Sequence, residues 1–322
     1  MTVPDDKDRV DLTNLDTPLF DGAGATKRDL IEYLEAVADR IIPELTDRPL
    51  SVIRVHRGQE SFMQKNLPSY TPPWVRRVTM WAESSKRDVT YALCNDQRTL
   101  LWFGNQRAVE YHPALIRVDN PEHMTHLVLD IDPPQGDAFA QAARAARVVR
   151  QVLSDEGLGA VIKTSGAKGL HIFVPVDVSV SIEAAAAATR AIAARAERLD
   201  SDTVTTAFVK DDRAGKVFVD STRVGGATVA AAYSPRMRPG APVSFPVDWD
   251  ALDEIVPGDF TVLTAVHHLE GGDRWAGRMP QPQALRTELV EEGRAIPVAR
   301  VQAMHEGKRR ARGRGKQAGV QE

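Results

Sequence analysis

The run His126-Leu127-Val128-Leu129-Asp130-Ile131-Asp132-Pro133-Pro134 constrains this chain more than any other stretch. Read with the period of a β-strand, Leu127, Leu129 and Ile131 face one way, while Val128, Asp130 and Asp132 face the other. Two carboxylates then share a face, roughly 6 to 7 Å apart along the strand. Proline cannot donate to a β-ladder, so the strand ends at Pro133 and leaves Asp132 at a terminus that a ligand can reach. Carboxylates this close repel one another, and a cation between them relieves the repulsion. Hard oxygen donors with open water positions suit magnesium or manganese rather than zinc. A strand ending in a solvated acidic turn would carry the same residues, so the motif needs company before it means a site.

The 322 residues, 43% hydrophobic and 26% charged, suffice for a substantial core in one large domain or two lobes. No apolar run approaches the roughly 18 to 20 residues of a membrane span, and the start Met1-Thr2-Val3-Pro4-Asp5-Asp6-Lys7 lacks the apolar centre of a signal peptide. The expectation is a cytoplasmic, nucleoid-associated protein with no membrane partner. A single cysteine, Cys94, excludes an internal disulfide and a cysteine-based zinc site, and reads as a buried small hydrophobe.

A net charge of −3 argues against indiscriminate coating of nucleic acid, but a mean hides its distribution. From Arg48 to Arg77 the chain carries Arg48, Arg54, Arg57, Lys65, Arg76 and Arg77 against Glu60 alone, with Phe62, Tyr70 and Trp74 interleaved. Cations for phosphates beside rings for bases suit a strand of nucleic acid. A solvated basic face over a few core rings would look the same.

Helical spacing and an N-cap at Thr26 predict a helix from Thr26 to Leu45. Strands are expected at Leu50 to Val55, Val78 to Met80, Val89 to Leu93 and Thr99 to Phe103, the last two parted by an Asn95-Asp96 turn. After the acidic strand, Asp137 can cap a helix through Leu153. A strand pair, Ala160 to Lys163 and Leu170 to Val176, precedes an alanine-rich helix from Glu183 to Leu199 and a short strand from Lys216 to Asp220. Short helical pieces are expected at Trp249 to Ile255 and Ala284 to Leu289. From residue 305 to 322 the chain is basic, glycine-dotted and without apolar periodicity, which predicts a disordered tail with weak, salt-sensitive affinity for nucleic acid.

Two further stretches keep the acidic strand company. In Thr164-Ser165-Gly166-Ala167-Lys168-Gly169-Leu170-His171, two glycines allow close backbone approach, while serine, lysine and histidine supply donors that grip phosphate oxygens. The order is not that of a P-loop, and a plain glycine hairpin remains open. In Lys216-Val217-Phe218-Val219-Asp220, another aspartate closes a strand. Three carboxylates at strand ends plus a Ser/Lys/His hairpin fit nucleotidyl transfer, in which two metals activate a 3′-hydroxyl and clamp a triphosphate.

In order and content these stretches resemble the archaeo-eukaryotic primase superfamily, above all the polymerase domain of bacterial end-joining ligase D. Further matches are Leu12-Thr13-Asn14, Thr26-Lys27-Arg28-Asp29, Phe62-Met63-Gln64-Lys65, Asn105-Gln106, Glu110-Tyr111-His112-Pro113 and Tyr233-Ser234-Pro235-Arg236 through Pro242, so the resemblance runs from about residue 10 to 300. It implies an α+β primase-polymerase fold of mixed, largely antiparallel sheets flanked by helices, with an RRM-like catalytic core. Residues 1–304 would form the domain, with a DNA-embracing region to about 110 and the core from 111. The resemblance further implies Asp130, Asp132 and Asp220 as ligands of two Mn2+ or Mg2+ ions, and His112, Ser165, Lys168, His171 and Arg236 around an NTP or dNTP. Asn14, Lys27, Gln64, Lys65 and Arg76 would meet DNA. The implied activity is template-directed filling of short DNA gaps with a preference for ribonucleotides. Alternatives are an end-joining polymerase with Ku and a ligase in trans, and a gap-binding module without catalysis.

The departures are local. Thr17 stands where end-joining members usually carry a lysine, Ser61-Phe62-Met63 replaces an aromatic pair, and Ser221-Thr222-Arg223 lacks the usual Tyr-Leu-Gln start. The catalytic set is untouched. With no ligase or nuclease segment, the chain is similar to the stand-alone primase-polymerases of actinobacteria called Prim-PolC.

Overall fold

The computed structural model describes residues 10–55, 60–82, 86–136, 138–225, 227–270 and 272–298. The expected basic tail, Arg57 and the proposed cap Asp137 lie outside them.

The chain begins with helices α1 (Lys27–Ala36) and α2 (Ala38–Leu45). Thr26 caps α1 in a reciprocal box with Asp29: the Asp29 N–H donates to the Thr26 hydroxyl at 3.3 Å, and the Thr26 N–H to the Asp29 carboxylate at 2.6 Å. The single expected helix is thus two, parted at Val37. Strands β1 (Leu50–Arg54), β2 (Phe62–Gln64), β3 (Arg77–Ala82) and β4 (Arg87–Ala92) follow, then helix α3 (Gln97–Asn105) and strand β5 (Ala108–Pro113). These five strands form one sheet in the order β2-β1-β4-β3, with β5 on β1.

Helix α3 corrects the expected strand from Thr99 to Phe103. Asp96 is not a hairpin turn but an N-cap, whose carboxylate accepts from the Thr99 N–H at 2.7 Å. A short apolar run cannot tell strand from helix by periodicity alone, and here the cap and the packing of α3 on α1 decide.

The second sheet comprises β6 (His126–Asp132), β7 (Val161–Thr164), β8 (Leu170–Pro175), β9 (Val204–Thr205), β10 (Val217–Asp220) and β11 (Pro246–Val247), in the order β11-β7-β8-β6-β10-β9. Every pairing is antiparallel except β10 with β9. Helices α4 (Phe139–Asp155) and α5 (Ile182–Leu199) pack on this sheet and on each other. Taken as β6-α4-β7-β8-α5-β10, the unit is a split βαβ whose strands lie in the order 2-3-1-4, as an RRM-like core requires. Helix α6 (Thr287–Ala295) packs on α5 so closely that a Cβ on Gly293 would meet the Ala187 carbonyl oxygen at 1.8 Å. It runs further than the piece expected at Ala284 to Leu289, and a 3-10 turn at Trp249–Ala251 replaces the piece expected at Trp249 to Ile255. The architecture is α+β, as expected.

Candidate active site

Strand pairing assembles the site. Asp130 on β6 stands opposite Asp220 on β10 and, on its other side, opposite His171 on β8; His171 in turn stands opposite Lys163 on β7. Directly paired residues in antiparallel strands point to the same face, so Asp220, Asp130, His171 and Lys163 form one ionisable row across four strands. Asp132 lies two residues beyond Asp130 on that face, beside Pro133. The opposite face of β6 carries Leu127, Leu129 and Ile131, all fully buried.

The hairpin between β7 and β8 closes over this row. Gly169 is required: a Cβ there would meet the Ile131 carbonyl oxygen at 2.1 Å. Gly166 has φ +67° and sits against the Ser244 backbone, where a side chain would fit neither the conformation nor the space. The Ser165 hydroxyl accepts from the N–H groups of Ala167 and Gly169 at 3.2 and 3.1 Å, which leaves its own proton free to donate. Lys168 reaches back to the end of the acidic strand, donating to the Pro133 carbonyl at 2.5 Å with the Asp132 carboxylate at 3.4 Å.

Each carboxylate has a cation beside it. Arg223 lies 3.0 Å from Asp130 and 3.4 Å from Asp220, and Arg213 lies 3.0 Å from Asp132. Burial raises the Asp130 carboxyl above the usual carboxylate range, Asp220 and Asp132 add to the rise through repulsion, and Arg223 opposes it. The donor set therefore favours positive charge, and its oxygens are of the hard kind that divalent cations take. Among the described residues, no three His, Cys, Asp or Glu side chains meet as a ready-made cage, and the Arg223 guanidinium bridges Asp130 and Asp220.

A second cluster joins the two sheets. The Glu110 carboxylate on β5 is buried, with His112 Nε2 at 2.7 Å and the Arg236 Nε donor at 2.9 Å; it also accepts from the Met237 N–H at 2.8 Å. Burial alone would push Glu110 up, but His112, Arg236 and the Met237 N–H outweigh it and hold the carboxyl down at about 2. The Arg236 guanidinium also donates to the Ser165 carbonyl, which ties the cluster to the hairpin. Asp130, Asp132, Asp220, Ser165, Lys168 and Arg236, with His171, face one cavity of about 1190 Å³.

The residues expected at DNA divide. Lys65 and Arg76 are exposed, Arg76 with Asp47 at 3.4 Å. Gln64 is engaged by Arg54 at 2.7 Å. Lys27 is buried, its amine donating to the Thr13 carbonyl at 2.5 Å and to the Asn105 side chain at 2.6 Å, and Asn14 sits beside it in the left-handed region at φ 52°. Of the basic segment, Arg48 donates to the carbonyls of Ala114 and Ile116, and Arg54 to Gln106, Gln64 and Tyr70. Those two are structural.

Sequence reasoning missed Lys163, Glu110, Arg213 and Arg223 as members of the site. Lys163 carried a signal: a lysine between Ile162 and Thr164 in an apolar strand, at the register of a histidine. Arg213 and Arg223 carried none, since a short 3-10 helix (Lys210–Arg213) and a loop deliver them.

The model for the family described as LigD, primase-polymerase domain, matches residues 26–275. The multifunctional non-homologous end joining DNA repair protein LigD of Mycobacterium tuberculosis is 37% identical over 257 residues, which are 76% of this chain and 34% of that protein. The bifunctional LigD of Bacillus subtilis is 30% identical over 267 residues, covering 81% of this chain and 43% of that one. The chain thus spans about a third of the first relative's length. Among solved structures, the polymerase domain of Mycobacterium tuberculosis ligase D in complex with DNA superposes with a TM-score of 0.77 at 34% identity, covering 85% of this chain and all of that domain. The fold and these matches place the chain in the nucleotidyltransferase class of primase-polymerases. The chain belongs to the family of LigD primase-polymerase domains. No helix among the described residues is long and apolar enough to cross a membrane.

Proposed function

We propose that this chain extends a DNA 3′-hydroxyl by template-directed nucleotidyl transfer within short gaps. The observation that carries the reading is the row in which Asp130 and Asp220 pair across strands, with Asp132 on the same face and the Ser165–His171 hairpin at its edge, all on one large cavity. Asp130, Asp132 and Asp220 would hold Mg2+ or Mn2+, with Arg223 and Arg213 giving way. Cations held by these carboxylates would supply Lewis acidity for a primer hydroxyl and positive charge for a pyrophosphate leaving group. Ser165, Lys168, His171 and Arg236 donate to the triphosphate of an NTP or dNTP, and His112, held by Glu110, lies beside Arg236. Gln64, Lys65 and Arg76 line the DNA path, Lys65 and Arg76 as exposed cations for backbone phosphates. Asn14 and Lys27 shape the far side of the gap; the two acceptors on Lys27 make it a residue that orders that edge before it meets a 5′-phosphate.

Primer extension on a gapped duplex with a downstream 5′-phosphate tests this, with Mn2+ and either ribo- or deoxynucleotides, beside the Asp130→Ala, Asp132→Ala double variant. The parent extends, ribonucleotides faster, and the variant does not. Tight gap binding without addition would make the chain a binding module. The end-joining role in the relatives' names supports a second reading, in which Ku and a ligase act in trans. Extension across paired 3′ overhangs in preference to gaps would select it.

A further inference from the structure

The buried lysine in the ionisable row has a task that the proposed chemistry does not use. Lys163 is 0% exposed, and its amine lies 2.7 Å from His171 Nδ1 and donates to the Ser244 hydroxyl at 2.5 Å. Ser244 gives its own proton to the Thr164 carbonyl at 2.8 Å, so towards Lys163 its oxygen can only accept. The Phe173 ring lies 5.5 Å below the amine. Burying an amine costs free energy even when it is hydrogen-bonded, and a methionine would fill the same slot at lower cost. Packing therefore does not explain a lysine here.

We propose that Lys163 is a positioning residue: by donating to Nδ1 of His171, it fixes the imidazole as the tautomer whose Nε2–H points at Asp130 and the cavity. Three contacts agree on that tautomer. Nδ1 lies 2.7 Å from the amine, which as an ammonium has donors only. Nε2 lies 3.5 Å from the Asp130 carboxylate, where a ring N–H is attracted and a ring lone pair repelled. Anionic phosphate oxygens in the cavity make the same demand. With the other tautomer, His171 would present a lone pair to both and bind neither. Strand register puts the lysine there, since Lys163 is the direct partner of His171 on the neighbouring strand.

The tautomer stands independently of the polymerase reading; its consequence for nucleotide binding rests on it. The measurement is the 15N spectrum of the His171 ring at neutral pH, in protein labelled at histidine and free of metal and nucleotide, with His171→Gln for assignment. In the parent, Nδ1 should resonate as an unprotonated nitrogen and Nε2 as a protonated one. In Lys163→Met the ring should populate both tautomers. The nucleotide KM should rise about tenfold, the worth of one hydrogen bond, with kcat within about threefold. A protonated Nδ1 in the parent overturns the proposal, and it does so even if the variant fails to fold. So does a variant that keeps the parent's ring shifts, or one whose ring changes while its KM does not. A parent with the expected ring but no extension activity would sink the polymerase reading and leave the lysine's role in place.

Discussion

The two sheets handle charge in opposite ways. In the first, Arg48 and Arg54 are drawn inward and hydrogen-bonded to carbonyl and amide oxygens, while Lys65, Arg76 and Arg77 stay at the surface, where Trp81 and Tyr70 are 59% and 58% exposed. In the second, aspartate, histidine and lysine line a single face and are answered by guanidinium groups from outside the sheet. Cations on the first sheet are therefore either buried framework or exposed at the surface where phosphates can reach them, and substitution should sort the two kinds. Charges on the second sheet are mutually dependent, and changing one changes what its neighbours can hold.

The sharpest break should come on the second sheet. Asp130→Ala with Asp132→Ala should lower extension by about 10³-fold or more, because the hard-oxygen donors are gone, while the melting temperature stays close to the parent's. If extension survives, the acidic face is not the reacting one.

Glu110→Gln tests the bridge between the sheets. Arg236 and His112 lose their counter-charge, and the nucleotide KM should rise about 10- to 30-fold, the worth of a charge-assisted contact. The same variant has a pH signature. With its folded-state pKa held down at about 2, Glu110 binds fewer protons folded than unfolded between that value and the ordinary carboxylate range. Its contribution, on the order of 3 kcal/mol, is complete above about pH 4.5 and is lost as pH falls through 2. Thermal melts of parent and variant should differ most near neutrality and converge in acid. Parallel curves at all pH values would remove the carboxylate from this account.

On the first sheet the effects are smaller. Arg54→Ala strips the donors from the Gln106 carbonyl, Gln64 and Tyr70, and should cost about 2 kcal/mol in chemical denaturation. Smallest in stability, within about 0.5 kcal/mol, are Lys65→Ala and Arg76→Ala. Each should instead lower the slope of log affinity for gapped DNA against log salt by about one, as expected when one phosphate contact is lost. An unchanged slope would take that residue off the DNA path.

Much of the second sheet was legible because its strands announce themselves. The alternation in His126 to Asp132 and the glycines that the hairpin needs are local signals with one physical reading each. The first sheet was read less well. Thr99 to Phe103 has the residue types of a strand yet forms a helix, since a capping Asp96 and burial against α1 outweigh propensity. The short β2 and the fully buried β5 went unread because neither run alternates.

By itself the sequence determined which face of each strand carries its carboxylate, where the chain turns between β7 and β8, and that one cysteine leaves no disulfide to make. Those properties follow from the two-residue period of a strand, from missing Cβ atoms and from counting. Only the tertiary structure decided that Lys163 meets His171, that Glu110 holds Arg236 from another sheet, and that Arg54 is framework while Arg76 is exposed beside Asp47. Strand order and loop paths bring those residues together across distances in sequence over which no local preference acts, so their charges acquire partners only when the sheets close.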